Sequence, residues 1–428
     1  MKRHVLLGAL VFFIVGRTAY AQTTNAENAL KFMEFLAQGQ YEDALNLTAV
    51  GFKAKVKPTD LAQLWENFNQ QLGPYESAKI ADDVDKNAAP LMVETTFKNY
   101  IMPFTVNFDE NHEIVGFFVQ QQPKSREDAR VSPSNFPEEA IKVKVHGGII
   151  SGTIMTPKTP QASMPIALII AGSGPTDRNG NNVYGVHSNS YLLLAEALAD
   201  NGIASFRYDK RLVGESTTFD TKQDSVVFQD FVDDAVILGN FLRSRKEFGK
   251  LFILGHSEGS NIGIMASQQL KPDAFVSLCG PGENLSTTLE SQLVAQPQLA
   301  QQAKPIIQLL KQGKTTNNVP DALNGLFAPV IQKFIISSFQ VEPTEEIAKL
   351  SVPLLIIGGT SDLQVPIKHA EALKQANPKA TLLLISQMNH VLKTAPNNRS
   401  ENLKTYTAPN LPLNGDLVMG LVNFLSDK

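Results

Sequence analysis

The chain has 428 residues, with 38 Lys plus Arg against 42 Asp plus Glu and a net charge of −4. That length exceeds one comfortable hydrophobic core, so two domains are expected, and no basic run or aromatic-basic interleaving offers a footprint for nucleic acid. A single cysteine, Cys279, excludes an intrachain disulfide framework and a cysteine-based metal cluster; no H-E-x-x-H motif occurs either, so neither metal nor other cofactor is expected.

In chain order, the first 21 residues read as a signal peptide. Lys2 and Arg3 make a basic start, residues 5–16 are an apolar run too short to span a bilayer, and Ala19-Tyr20-Ala21 is a small-residue cleavage site. Cleavage after Ala21 would leave Gln22 first and put the mature chain in the periplasm or outside the cell, with no stable membrane span left. Residues 24–122 have the pattern of a small separate α+β domain. Helical spacing over 28–38, 41–47 and 58–72 is followed by strand-like runs at 92–97, 100–108 and 113–120, with a turn at Asp109-Glu110-Asn111. Trp65, the only tryptophan, belongs in the core on its helix. No catalytic constellation is found there; a scaffolding, dimerising or gating role, and with it a homo-oligomer, stays open. Residues 123–138, polar and holding Pro133 and Pro137, suit a linker.

From 139 to 428 strand and helix patterns alternate. Two antiparallel edge strands, 140–145 and 149–156, precede apolar runs at 166–170, 203–208, 251–254, 274–278, 353–357 and 381–385, with helical spacing at 224–242, 258–270 and 366–376. This is the mark of a mostly parallel, doubly wound sheet in the α/β class. The alternation breaks at about 281–350, an insert rich in Gln, Leu and Ala that is expected to form a helical cap after a central strand. Phe327, Phe334, Ile335, Ile336 and Phe339 are its expected apolar face, most of them packing on the body and some lining a pocket.

Three strand ends carry chemistry. The run at 251–254 feeds Gly255-His256-Ser257-Glu258-Gly259, a G-x-S-x-G pentapeptide between a strand and a helix, where a strained turn would hold Ser257 Oγ clear of the sheet. A side chain at Gly255 or Gly259 would collide with a neighbouring element. Serine needs a base within hydrogen-bond reach and a third group to orient that base, expected here in the chain order Ser, Asp or Glu, His. Asp362 falls just past 353–357, and His390 just past 381–385. Of the seven histidines, His4, His112, His146, His187 and His256 precede Asp362, and His369 belongs to the helix after Pro366; His390 is left as the base. The oxyanion donors expected are the backbone N–H of Glu258 and that of Ser173, in the glycine-rich turn Gly172-Ser173-Gly174-Pro175, with Gly174 next in line; such a donor is worth about a hundredfold to a thousandfold in rate. A dinucleotide fingerprint would need glycine at Asp177, and a P-loop would need one at Gln308.

Five stretches together, Gly172 to Gly180, Phe206-Arg207-Tyr208-Asp209-Lys210-Arg211, Gly255 to Gly259, Gly359 to Val365 and Met388-Asn389-His390, resemble the signatures of EstD-type bacterial carboxylesterases. The resemblance implies an α/β-hydrolase fold acting on short acyl esters of small molecules, with Ser257, Asp362 and His390 as its triad. It also implies a leading domain of the cone-like nuclear transport factor 2 type. Two positions depart from the pattern: Ala171 stands where many hydrolases have histidine, and Leu212 where the family has glycine after Asp-Lys-Arg. Asp177 and Arg178, beside the oxyanion turn, are expected to stabilise the loop as an ion pair. The expectation is a serine carboxylesterase working through an acyl-enzyme. Acyl thioester, lactone or peptide cleavage by the same triad is the alternative, and a ligand-binding or sensing module without catalysis is one of a different class.

Overall fold

The computed structural model describes residues 24–80, 85–119, 124–125, 134–182, 185–216, 219, 225–294 and 296–428. The signal-peptide reading of residues 1–21 and much of the expected linker lie outside the described residues. The chain divides into two compact units, Met1–Glu127 and Asp128–Lys428.

In the leading unit, helices Asn25–Ala37, Tyr41–Asn46, Val50–Lys53 and Pro58–Leu72 come first, then strands Tyr75–Lys79, Leu91–Phe97, Tyr100–Phe108 and Ile114–Val119 in sequential antiparallel order. The first helix begins at Asn25, three residues before the helical spacing read from the sequence, because its cap lies upstream. Thr24 accepts from Glu27 N–H at 3.2 Å and Glu27 returns the bond to Thr24 N–H at 2.8 Å, a reciprocal cap. Trp65 is buried against Tyr75 and Phe97. At Asp109 the carboxylate accepts from the N–H of Asn111 and Glu113, closing the expected turn. Three elements depart from the sequence reading, the first being the short helix Val50–Lys53. Tyr75–Lys79 is a polar edge strand whose residues carry no apolar alternation, and Lys124–Ser125, inside the expected linker, pairs with Ile101 and Tyr100. Glu138, at the linker's far end, already opens a strand.

The second unit is built on eight strands: β1 Glu138–Val145, β2 Gly148–Met155, β3 Met164–Ile170, β4 Ala204–Tyr208, β5 Phe248–His256, β6 Ala274–Leu278, β7 Leu354–Gly359 and β8 Thr381–Ile385. Their order is β8-β7-β6-β5-β3-β4-β2-β1, with β2 antiparallel to both its neighbours and the rest parallel. The unbroken apolar runs follow from this. On β3, Ile166, Leu168 and Ile170 enter a core beneath helices Phe228–Ser244, Glu258–Leu270 and Lys368–Ala376, while Ala167 and Ile169 enter a second core beneath Ser190–Asp200 and Gly415–Ser426. Both faces are dry, so alternation has nothing to express. Helices Ser190–Asp200 and Gly415–Ser426 went unassigned from sequence. The apolar run of β8 is a strand at the sheet edge, with Leu384 37 % exposed, and is not buried on both faces.

The insert after β6 is helical, with Leu285–Leu293, Pro297–Lys311, Asn324–Phe327, Gln332–Ser338 and Pro343–Ala348. Here the structure corrects the expected packing. Phe327, Ile335 and Phe339 join Ile306, Ile307 and Leu310 in a core that belongs to the cap itself. An insert this long buries its own apolar surface before it can offer any to the body. Phe334 is the one of the five that stacks on body rings, its ring centroid 6.2 Å from Phe228 and 5.5 Å from Phe231.

Candidate active site

Ser257 joins β5 to the helix Glu258–Leu270 with φ 54° and ψ −125°. A serine in that region carries strain on the order of 1–3 kcal/mol and persists only where surroundings over-determine it. Here Ser257 N–H donates to Leu278 O on β6 at 2.9 Å and Ser257 O accepts from Ser260 N–H at 2.9 Å. The flanking glycines are required by close approach. A Cβ on Gly255 would lie 2.3 Å from Gly259 O, and one on Gly259 would lie 2.3 Å from Ile170 O of β3.

The loops after β7 and β8 bring the two partners to this turn. His390 Nδ1 lies 2.8 Å from Asp362 Oδ2, and His390 Nε2 lies 3.1 Å from Ser257 Oγ. A carboxylate facing Nδ1 makes that nitrogen the N–H donor, so Nε2 accepts from the serine hydroxyl. Asp362 Oδ1 accepts from Gln364 N–H at 2.8 Å and Val365 N–H at 2.9 Å. Burial pushes the Asp362 pKa up, but His390 and these donors outweigh it and hold the carboxyl below its ordinary value. His369 sits on the helix Lys368–Ala376, where its Nδ1 accepts from Gly282 N–H at 3.2 Å; it is anchored to the root of the cap.

Ser173 and Glu258 line the cavity beside Ser257, and neither backbone N–H donates a hydrogen bond among the described residues. The Glu258 N–H is the first of its helix, where amides are unsatisfied and the dipole favours negative charge. The preceding peptide is pinned on both sides: Gly172 N–H donates to Tyr191 Oη at 3.1 Å, and Gly172 O accepts from Lys210 Nζ at 2.9 Å. Asp177 and Arg178 both hold the loop. Asp177 accepts from the N–H of Asn179 and Asn181, while Arg178 pairs with Asp209 and Glu215, both at 2.7 Å. Leu212 takes the left-handed conformation of a glycine, φ 65°, donates its N–H to Ser216 O and lines the cavity.

Three residues near the site were not assigned a role from sequence. His256, excluded as a base by chain order, is 7 % exposed and Tyr191 4 %. His256 Nε2 lies 2.8 Å from the backbone oxygen of His390, so it must be the N–H donor; Nδ1 then accepts from Tyr191 Oη–H at 2.8 Å. A neutral strut therefore runs Gly172 N–H, Tyr191 O–H, His256, His390 O. Burial, aided by the neighbouring His390, lowers the His256 pKa to about 3 and keeps the ring neutral. Lys210 bridges the loop carbonyl of Gly172 to Glu258, 3.2 Å away, with its ammonium 4.7 Å from the centre of the Phe231 ring. His256 and Lys210 both stood inside quoted motifs, so a signal existed; Tyr191 had none. The ring nitrogens of His256 and His390 and the Cys279 sulfur lie within 4.8 Å of one another. The nitrogens already carry hydrogen bonds, and burial followed by the charge of Asp362 raises the Cys279 pKa and keeps the thiol protonated. This cluster offers no free ligand set for a metal.

Two cavities open at Ser257. One, of about 530 Å³, runs beneath the cap; the other, of about 110 Å³, lies against His390.

An eight-stranded α/β sheet with a serine at the elbow after β5, and a histidine and an aspartate on the loops after β8 and β7, defines a serine hydrolase of the α/β-hydrolase fold. A family described as "Serine aminopeptidase, S33" matches residues 183–396, half of the chain, and the protein belongs to it. Residues 29–117 match a family described as a protein of unknown function, DUF3887. Esterase EstD of Thermotoga maritima is 25 % identical over 384 residues, covering 86 % of this chain and 87 % of the relative. Similar solved structures include Est1E from Butyrivibrio proteoclasticus with ferulic acid bound (15 % identity, 68 % of this chain and 100 % of that one, TM-score 0.45) and the Pyrococcus furiosus esterase Pf2001 (14 %, 68 % and 90 %, TM-score 0.45).

Proposed function

We propose that the protein is a serine carboxylesterase that cleaves acyl esters of small molecules through an acyl-enzyme on Ser257. The observation that carries this reading is the hydrogen-bonded line from Ser257 Oγ through His390 to Asp362, at 3.1 and 2.8 Å, beside two undonated amides. His390 takes the serine proton as Oγ attacks the carbonyl carbon. The Ser173 and Glu258 N–H groups receive the charge that develops on the carbonyl oxygen. The ester bond to the alcohol then breaks, His390 returns the proton to the leaving oxygen, and water repeats the sequence to release the acid. Asp362 holds the ring in the working tautomer.

The family description favours a second reading, an aminopeptidase. That reaction needs a carboxylate for the substrate's α-ammonium; of the charged groups lining the large cavity, Lys210 pairs with Glu258 at 3.2 Å and Arg211 with Asp234 at 2.7 Å, while Glu283 pairs with Lys368 at 2.8 Å through Oε1 and leaves Oε2 without a hydrogen bond, the one carboxylate oxygen such a substrate would have to use. A neutral ester meets no such need. The test is labelling of Ser257 by a fluorophosphonate together with turnover of p-nitrophenyl butyrate and of aminoacyl p-nitroanilides. Turnover of the anilides alone would overturn the ester reading. Absence of labelling in folded protein would favour a binding module. We also propose that the chain is exported and trimmed after Ala21; amino-terminal sequencing of the mature protein should begin at Gln22. Among the described residues no helix is long and apolar enough to cross a membrane.

A further inference from the structure

We infer that the substrate joins a bulky apolar acyl group to a small alcohol, an inference that rests on the esterase reading above. The two cavities at Ser257 are unequal in size and unlike in lining. The large one, about 530 Å³, is walled by Leu285, Leu289, Val330, Phe334 and Ile335 of the cap and by Phe231 of the body. The small one, about 110 Å³, is walled by Ser188, Tyr191, Gln364, His390 and Tyr406.

The path of the proton decides which half of the ester each receives. When Ser257 Oγ bonds to the carbonyl carbon, its proton moves to His390 Nε2. Collapse then breaks the bond from that carbon to the alcohol oxygen, and the oxygen takes the proton from Nε2 and leaves as neutral alcohol. The alcohol must therefore sit on the His390 side. Ser257 and Ser173 border both cavities; His390 borders only the small one and Glu258 only the large one. The large cavity is thus the acyl site. At about 530 Å³ against about 110 Å³, the large site has nearly five times the room of the small one. Acetyl or butyryl would leave most of the apolar wall facing water. Each buried methylene should strengthen binding about fourfold. The two lining cations, Lys210 and Arg211, are neutralised by Glu258 and Asp234, so the acyl group the cavity suits carries no negative charge.

Ethyl octanoate and octyl acetate are constitutional isomers that place the same chain on opposite sides of the ester. With the mature chain in a pH-stat, both substrates held below their solubility limits, kcat/KM for ethyl octanoate should exceed that for octyl acetate at least tenfold. Leu289→Trp, which fills the large cavity, should lower the ratio of ethyl octanoate to ethyl acetate turnover at least tenfold. Equal or reversed preference between the isomers, in a protein that hydrolyses p-nitrophenyl butyrate, overturns the inference and leaves the esterase reading standing. Hydrolysis of no ester overturns both.

Discussion

The floor that carries the reacting groups and the roof over the large cavity are held by different forces. On the floor, each group of the site is fixed by directional bonds: Asp362 by two amides and His390, Gly172 by Tyr191 and Lys210, and the His390 backbone by His256. The roof is a helical insert with its own core, and Phe334 meets the body through ring packing. Directional bonds tolerate no change of partner, whereas apolar packing tolerates many changes at small cost each. Reaction type and substrate preference should accordingly respond to mutation on different scales.

The largest effect belongs to the floor. Ser257→Ala should remove on the order of 10⁶ of kcat, as nucleophile deletions do in serine hydrolases, with an unchanged thermal midpoint; residual turnover near wild type would place the chemistry elsewhere. Asp362→Asn keeps the shape but favours the wrong tautomer of His390, so kcat should fall about 10⁴-fold, read with p-nitrophenyl butyrate. Tyr191→Phe deletes the hydroxyl between Gly172 and His256. A loss of roughly tenfold in kcat with KM held is expected, since two hydrogen bonds are lost, each worth about 1 kcal/mol at most here, and the acyl cavity is untouched; a change confined to KM would contradict a positioning role. On the roof, Phe334→Ala should alter the ratio of long to short acyl turnover by only a few-fold. If it abolished all turnover, the contrast between floor and roof would be lost.

At working pH the smallest effect concerns His256. Its folded pKa of about 3 lies below the ordinary 6.5, so between these values the unfolded chain binds the extra proton. The stability that depends on a neutral ring is complete above pH 6.5 and erodes as pH falls toward 3, by an amount on the order of a few kcal/mol. Urea midpoints at pH 7 and pH 5 should differ less in His256→Gln than in the wild type; equal differences would show that the ring takes a proton in the folded state.

How much of this was legible beforehand depends on the kind of signal. Ser257, Asp362 and His390 each follow an apolar run, and because a parallel sheet delivers its strand ends to one edge, three separated stretches could be joined by pattern alone. Tyr191 could not be found this way. It lies on a helix covering the other face, and its partners, Gly172 and His256, are 19 and 65 residues away. The edge strand Tyr75–Lys79 escaped because backbone pairing needs no apolar side chain. The partners of Phe327 and Phe339 are illegible for a related reason. Periodicity reports that a face is buried and does not report against what. Leu212 illustrates a third case, a residue in a glycine conformation whose side chain ends in the cavity wall.

The strut through Tyr191 and His256 has a consequence for how mutations combine. Its links stand in series between the oxyanion turn and the backbone of the base, so breaking any one of them breaks the whole connection. Tyr191→Phe and His256→Gln should therefore show strong epistasis, the double variant being little slower than the worse single one. Any lineage that loses one link is released from keeping the other.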